Sequence, residues 1–131
     1  MAFKKLKLHV LEEKFTVSKL PVFAELPTIF AKGELCFVMR TDDEFTVISP
    51  DFMAPDNVQQ VSGWRCLRID GEIPFQAPGV LNSLTQPLAD ADIPIFAIST
   101  YNTDYIFLME EALIDAVKAL QHVGHQFVHK E

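Results

Sequence analysis

Positive charge is scarce in this chain: 11 lysines and arginines stand against 18 aspartates and glutamates, a formal net charge of −7. That balance argues against a nucleic-acid partner, since binding a phosphate backbone requires a basic surface that displaces counterions. The one basic cluster, "FKKLKLH" near the start, alternates with apolar residues as a strand with one solvated face does. Cysteine is nearly absent as well. Cys36 and Cys66 lie far apart inside apolar runs, with no CxxC or Cys/His spacing. They read as buried reduced thiols, not as a disulfide framework or a metal site. No window approaches the roughly 18 apolar residues of a membrane span. The opening "MAFKKLKLHVLEEKF" has neither a continuous apolar segment nor a small-residue cleavage site. These absences predict a cytoplasmic protein with no membrane partner, no metal and no cofactor.

What the chain does have is material for a core. Its 131 residues are 49% hydrophobic and 22% charged, the profile of a packed globular chain. Eleven phenylalanines supply bulk without a metal or disulfide staple. The C-terminal half is the more regular. "GWRCLRID" (63–70) reads as a strand stopped by the turn pair Asp70-Gly71. After "GEIPFQAPG", the run "VLNSLTQPLADAD" sets Val80, Leu81, Leu84, Leu88 and Ala91 at helical spacing. Pro78 suits a first helical turn. Pro87 falls inside the helix, where it deletes a backbone donor and crowds the preceding turn, so a kink or an early end is expected.

Two apolar runs follow, "IPIFAIS" and "YIFLM", around the polar hinge "TYNTD". They predict strands apolar on both faces, hence a sheet covered on both sides. "EEALIDAVKALQHVGH" is then a second helix. Glu110 and Glu111 complement its positive end; Leu113, Ala116, Val117 and Leu120 form its buried stripe. Gly124 is a left-handed cap, with His122, His125 and His129 as cations near the negative end, and "QFVH" closes as a short strand. The order strand, helix, strand, strand, helix, strand is the split layout of a ferredoxin-like α+β fold, an antiparallel sheet with two helices on one face.

The N-terminal half looks like a blurred copy. "ELCFVMRTDDEFTVIS" (34–49) also sets two apolar runs around an acidic hinge, roughly 60 residues before its C-terminal counterpart, a spacing that suggests duplicated units. The division expected is therefore 1–61 and 62–131. "LPTIFAK" and "DFMAPDNVQQV" have room for a turn or two of helix each, and "LKLHVLEEKFTVSKL" reads as a hairpin turning at Glu12-Glu13. The acidic run "RTDDEF" has no second acidic or histidine cluster to work with, so it reads as a charged hairpin tip.

Over "GVLNSLTQPLADADIPIFAISTYNTDY" and its flanks, residues 62–128, the chain resembles the ACT-domain family. It looks most like small bacterial tandem-ACT proteins related to aspartokinase regulatory domains and to the cytosolic arginine sensor, with a looser likeness over 1–61. The resemblance implies tandem ACT units and a regulatory, non-catalytic protein that binds an amino acid where two units meet. It also implies a homodimer or a regulated enzyme as partner. It maps ligand contacts onto Gly79, Val80 and Leu81 at the helix start, Ile98, Ser99 and Thr100 at the strand end, and Asp104. In the arginine sensor the acidic residue of the same Thr-Asp pair meets the ligand, and Thr103-Asp104 is that pair here. Thr46, Val47 and Ile48 in "EFTVIS" would face them from the other unit.

Elementary chemistry agrees with that site. An amino acid carries a carboxylate, which a helix start preceded by "APG" supplies with aimed N–H donors, and Gly79 permits close approach. It also carries an ammonium, for which Asp104 is the acceptor, helped by the Ser99 hydroxyl. The alternative from another class is an oligomerisation or interaction module of the same fold that binds no ligand. No nucleophile–base pair, phosphate loop or metal set argues for an enzyme.

Overall fold

Strand β1 (Lys7–Val10) alternates an exposed Lys7 with a buried Leu8, the period of two that a half-covered sheet imposes. In the computed structural model, which describes residues 5–31, 35–74 and 77–128, this strand belongs with the C-terminal half. The chain divides into a unit Glu13–Trp64 and a discontinuous unit that joins the residues up to Glu12 to those from Arg65 onward. The division thus differs from 1–61 and 62–131, because β1 is carried over to the later unit. Nor does β1 form a hairpin with β2 (Phe15–Leu20): β1 pairs with β5 (Gln59–Ile69) and β8 (Gln126–Phe127), and β2 with β4 (Phe45–Pro50) and β5. The Leu11 amide extends the β1–β5 ladder by donating to the Cys66 carbonyl, so Glu12-Glu13 is a bend.

In the discontinuous unit the strand order is β8-β1-β5-β7-β6, with β6 at Ile95–Ser99 and β7 at Asp104–Met109. β6 and β7 form an antiparallel hairpin in the register Ile95↔Leu108 through Ser99↔Asp104. Helices α1 (Asn82–Asp90) and α2 (Leu113–His122) bury Leu84, Leu88, Ala116 and Leu120 against Leu8, Leu67, Ile69, Ile106 and Leu108. Each fully buried leucine contributes about 1.5–3 kcal/mol relative to exposure. This is the ferredoxin-like α+β arrangement, with β1 inserted between β5 and its closing strand β8.

Both helices end in Schellman motifs. In α1 the Ile93 amide donates to Leu88 and that of Asp92, at φ 60°, donates to Ala89; in α2 the His125 amide donates to Leu120 and that of Gly124, at φ 103°, donates to Gln121. Of the kink or early end expected at Pro87, the early end does not occur: α1 runs on to Asp90. The reason lies in His125, which is 2% exposed and is not the solvated terminal cation that the sequence suggested. Its Nδ1 accepts from the Leu6 amide at 3.0 Å, and its Nε2 donates to the Ser83 carbonyl at 2.9 Å. Ser83 is the acceptor that the absent N–H of Pro87 leaves without a helical donor. His122 stays exposed in the last turn of α2, and His129 lies outside the described residues.

The two-sided apolar reading holds for β7, where Ile106, Phe107 and Leu108 are all buried, and Phe96 stacks on Phe107 with centroids 4.7 Å apart. β6, which among the described residues pairs with β7, is less covered within this chain: Ala97 is exposed, and Phe96 and Ile98 are half-buried.

The unit Glu13–Trp64 is a four-stranded antiparallel sheet in the order β3-β4-β2-β5, with β3 at Phe37–Arg40 and only residues 59–64 of β5 taking part. Its helical pieces are single 3-10 turns, Thr28–Ala31 and Asp51–Met53. Its core gathers Leu20, Phe30, Phe45, Val47 and Met53. Asp42, Asp43 and Glu44 sit exposed at the β3–β4 tip, where the Thr41 hydroxyl accepts from the amides of Asp43 and Glu44. Burial raises the Cys36 thiol above its ordinary pKa, and Cys66 is fully buried in the other unit.

Candidate functional site

A cavity of about 130 Å³ opens where α1 begins beside the end of the β6–β7 hairpin. Cavities of about 150 Å³ accept a benzene-sized guest. This one therefore fits a molecule of about six non-hydrogen atoms, the size of a small amino acid or the head of a larger one. It is lined by Val80 and Leu81 from the turn into α1, by Ser99, Thr100, Thr103 and Asp104 from the hairpin end, and by Ile73, Pro74 and Ala77 from the loop after β5.

Local bonding fixes the hairpin end. The Thr100 amide donates to the Thr103 carbonyl at 2.8 Å, and the Thr100 hydroxyl donates to the same oxygen at 3.1 Å. The Thr103 hydroxyl, buried, donates to the Ile69 carbonyl at 3.2 Å, tying the hairpin to the end of β5. From the other side, the Ile73 amide donates to the Asn102 carbonyl at 2.7 Å and draws the loop over the hinge. "TYNTD" is thus a corner tied down at Thr100, Asn102 and Thr103, with Tyr101 and Asn102 exposed at its tip.

At the helix start Gly79 holds φ 77°, a left-handed conformation that side-chain-bearing residues rarely adopt. Its carbonyl accepts from the Ser83 amide at 3.0 Å, and Leu81 accepts from the amides of Leu84 and Thr85. The helical ladder therefore starts at Ser83. The amides of Val80, Leu81 and Asn82 stand ahead of it at the positive end of the dipole, with no side-chain cap among the described residues. Asp104 is half-buried, and among the described residues its carboxylate has no hydrogen-bonding or ion-pair partner. No lysine or arginine is among the described residues that line the cavity.

Of the residues expected from sequence, Val80, Leu81, Ser99, Thr100 and Asp104 come together here. Gly79 shapes the turn without lining the space. Ile98 pairs with Tyr105 in the hairpin and belongs to the opposite sheet face from Ser99 and Asp104. Thr46, Val47 and Ile48 lie on β4 in the other unit, and none of them lines this cavity; Val47 is in that unit's own core, and the Thr46 hydroxyl donates to Glu44. Sequence reasoning passed over Ile73, Pro74 and Ala77. The only signal for them was that "GEIPFQAPG" leads into the helix start.

The strand order, with both helices on one sheet face, defines the ferredoxin-like class of α+β unit. Within that class, residues 60–122 match the ACT domain family. A stretch of 59 residues is 36% identical to subunit 1 of the cytosolic arginine sensor for mTORC1 of Homo sapiens, covering 44% of this chain and 18% of that protein. Among solved structures, a protein of Agrobacterium tumefaciens is 25% identical with a TM-score of 0.89, over 98% of this chain and 96% of that one. The regulatory subunit of aspartate kinase from Thermus flavus superposes with a TM-score of 0.62 at 10% identity, over 91% and 98% of the two chains. At that identity the likeness is one of fold. Among the described residues no helix is long and apolar enough to cross a membrane.

Proposed function

We propose that this chain is a non-catalytic regulatory protein of the cytoplasm that binds a small amino acid, or the head of a larger one, in the cavity at the start of α1. The observation that carries this reading is Asp104: a half-buried carboxylate without a partner among the described residues, at a cavity of about 130 Å³ that also meets a helix start. The ligand ammonium would take Asp104 and the Ser99 hydroxyl; the ligand carboxylate would take the amides of Val80, Leu81 and Asn82. With no cationic side chain among the described lining residues, an acidic amino acid would find no counter-charge, so a neutral or basic one is favoured. The partial likeness to an arginine sensor, and the shared fold of an aspartate kinase regulatory subunit, support a sensory role. Occupancy would act on a partner enzyme or a second copy, to the extent that the ligand favours one conformation over another.

Thermal melts of the purified protein against each proteinogenic amino acid test this. A specific ligand at one hundred times its dissociation constant adds about 2.7 kcal/mol, which raises the melting temperature by several degrees in a chain of this size. Flat melts across the panel at millimolar concentration would overturn the sensor reading and leave an oligomerisation or interaction module.

A further inference from the structure

We propose a second, separate binding site in the discontinuous unit, for a small anion bearing a phosphate or a carboxylate, on the sheet face turned away from α1 and α2. A groove of about 620 Å³ runs there across β1, β5 and β7, within the range of roughly 300–1,000 Å³ typical of small-molecule sites. Register places its chemistry. His9 on β1 lies directly opposite Arg68 on β5, Lys7 follows two residues along the same face of β1, and Tyr105 flanks Arg68 from β7.

Arg68 carries the argument. The chain has three arginines. Arg40 donates to the carbonyls of Val22 and Ala24, and Arg65 to the carbonyl of Leu11 and the carboxylate of Glu110. Both are committed to protein acceptors. Arg68 is half-buried with its guanidinium 6.0 Å over the Tyr105 ring, and among the described residues no carbonyl or carboxylate accepts from it. A half-buried guanidinium beside an aromatic ring, with no acceptor among the described residues, is suited to a bidentate carboxylate or phosphate. Lys7, exposed and without an ion pair among the described residues, adds a second positive charge on the neighbouring strand. Two carboxylates also line the groove. Asp70 accepts from His9 Nε2 at 2.8 Å, which holds its carboxylate against β1, and Glu72 is exposed. The groove shares Thr103 with the amino-acid cavity but draws its charged groups from other residues, so it stands whether or not an amino acid binds.

The test is nitrogen-15 NMR of the full chain titrated with inorganic phosphate and, separately, with citrate. Saturable shifts are expected for amides of residues 7–9, 68–72 and 102–105 with at least one of the two anions, with millimolar affinity that falls as salt rises. The anion that saturates identifies the headgroup. Arg68→Gln should weaken binding at least tenfold and Lys7→Gln several-fold. Arg68→Lys, which keeps the charge but loses the fork, should fall between wild type and Arg68→Gln, and Lys118→Gln on α2 should change nothing. Absence of saturable shifts with either anion, or shifts that survive in a folded Arg68→Gln protein, would overturn the proposal.

Discussion

His125 Nε2 donates to the Ser83 carbonyl at 2.9 Å, and Ser83 is the helical acceptor that Pro87, four residues on, has no N–H to serve. A residue just past the end of α2 thus completes the hydrogen bonding of α1, which is why a proline inside a nine-residue helix does not end it. Leaving a buried acceptor unsatisfied costs about 1–3 kcal/mol.

His125→Ala should therefore lower stability in urea denaturation by about 2 kcal/mol or more, since it also strips the Leu6 amide of its acceptor. Pro87→Ala restores an N–H that can reach Ser83, so His125→Ala should cost less in that background. The double-mutant cycle should show a coupling of at least ~0.5 kcal/mol. Strict additivity would mean that the imidazole does not replace the missing helical donor.

Thr103 holds the hairpin end through its bond to Ile69. Thr103→Val keeps the shape, deletes the hydroxyl and leaves the Ile69 carbonyl short of a partner, so a loss of about 1–2 kcal/mol is expected. Because Asp104 follows directly, affinity for the amino acid should fall with it. Thermal melts with and without ligand measure both effects.

Gly79 tests whether conformation or space matters at the helix start. A Cβ there meets nothing within 4 Å, so the demand is the φ of 77° alone. Gly79→Ala should cost about 1–2 kcal/mol, and Gly79→Asn less, because asparagine tolerates the left-handed region better. A larger loss for asparagine than for alanine in melting experiments would point to crowding instead.

The sequence made the local elements of the C-terminal half legible. The spacing of Leu84 and Leu88, the stripe of Ala116 and Leu120, and the Gly124 cap are all local patterns, and each is realised. Pairing between distant residues was not legible. Nothing in "LKLHVLEEKFTVSKL" says that its first strand lies between β5 and β8. Nothing near His125 says that a proline 38 positions earlier leaves it a carbonyl. The hinge was read as a binding corner from its polar residues, and five of the ten residues expected at the site line one cavity. Alternation along the strand sends Ile98 to the other face, and packing draws Val47 into its own unit's core.

The most direct measurement is calorimetric titration of the amino acid that raises the melting temperature most into the wild type and into Asp104→Ala. A charge-assisted hydrogen bond to the ligand ammonium is worth about 1.5–3 kcal/mol, so affinity should fall by about tenfold or more. Stability without ligand should stay within about 0.5 kcal/mol, as the carboxylate makes no bond to the described protein. Undiminished binding by a folded Asp104→Ala protein would contradict the site proposed at the start of α1.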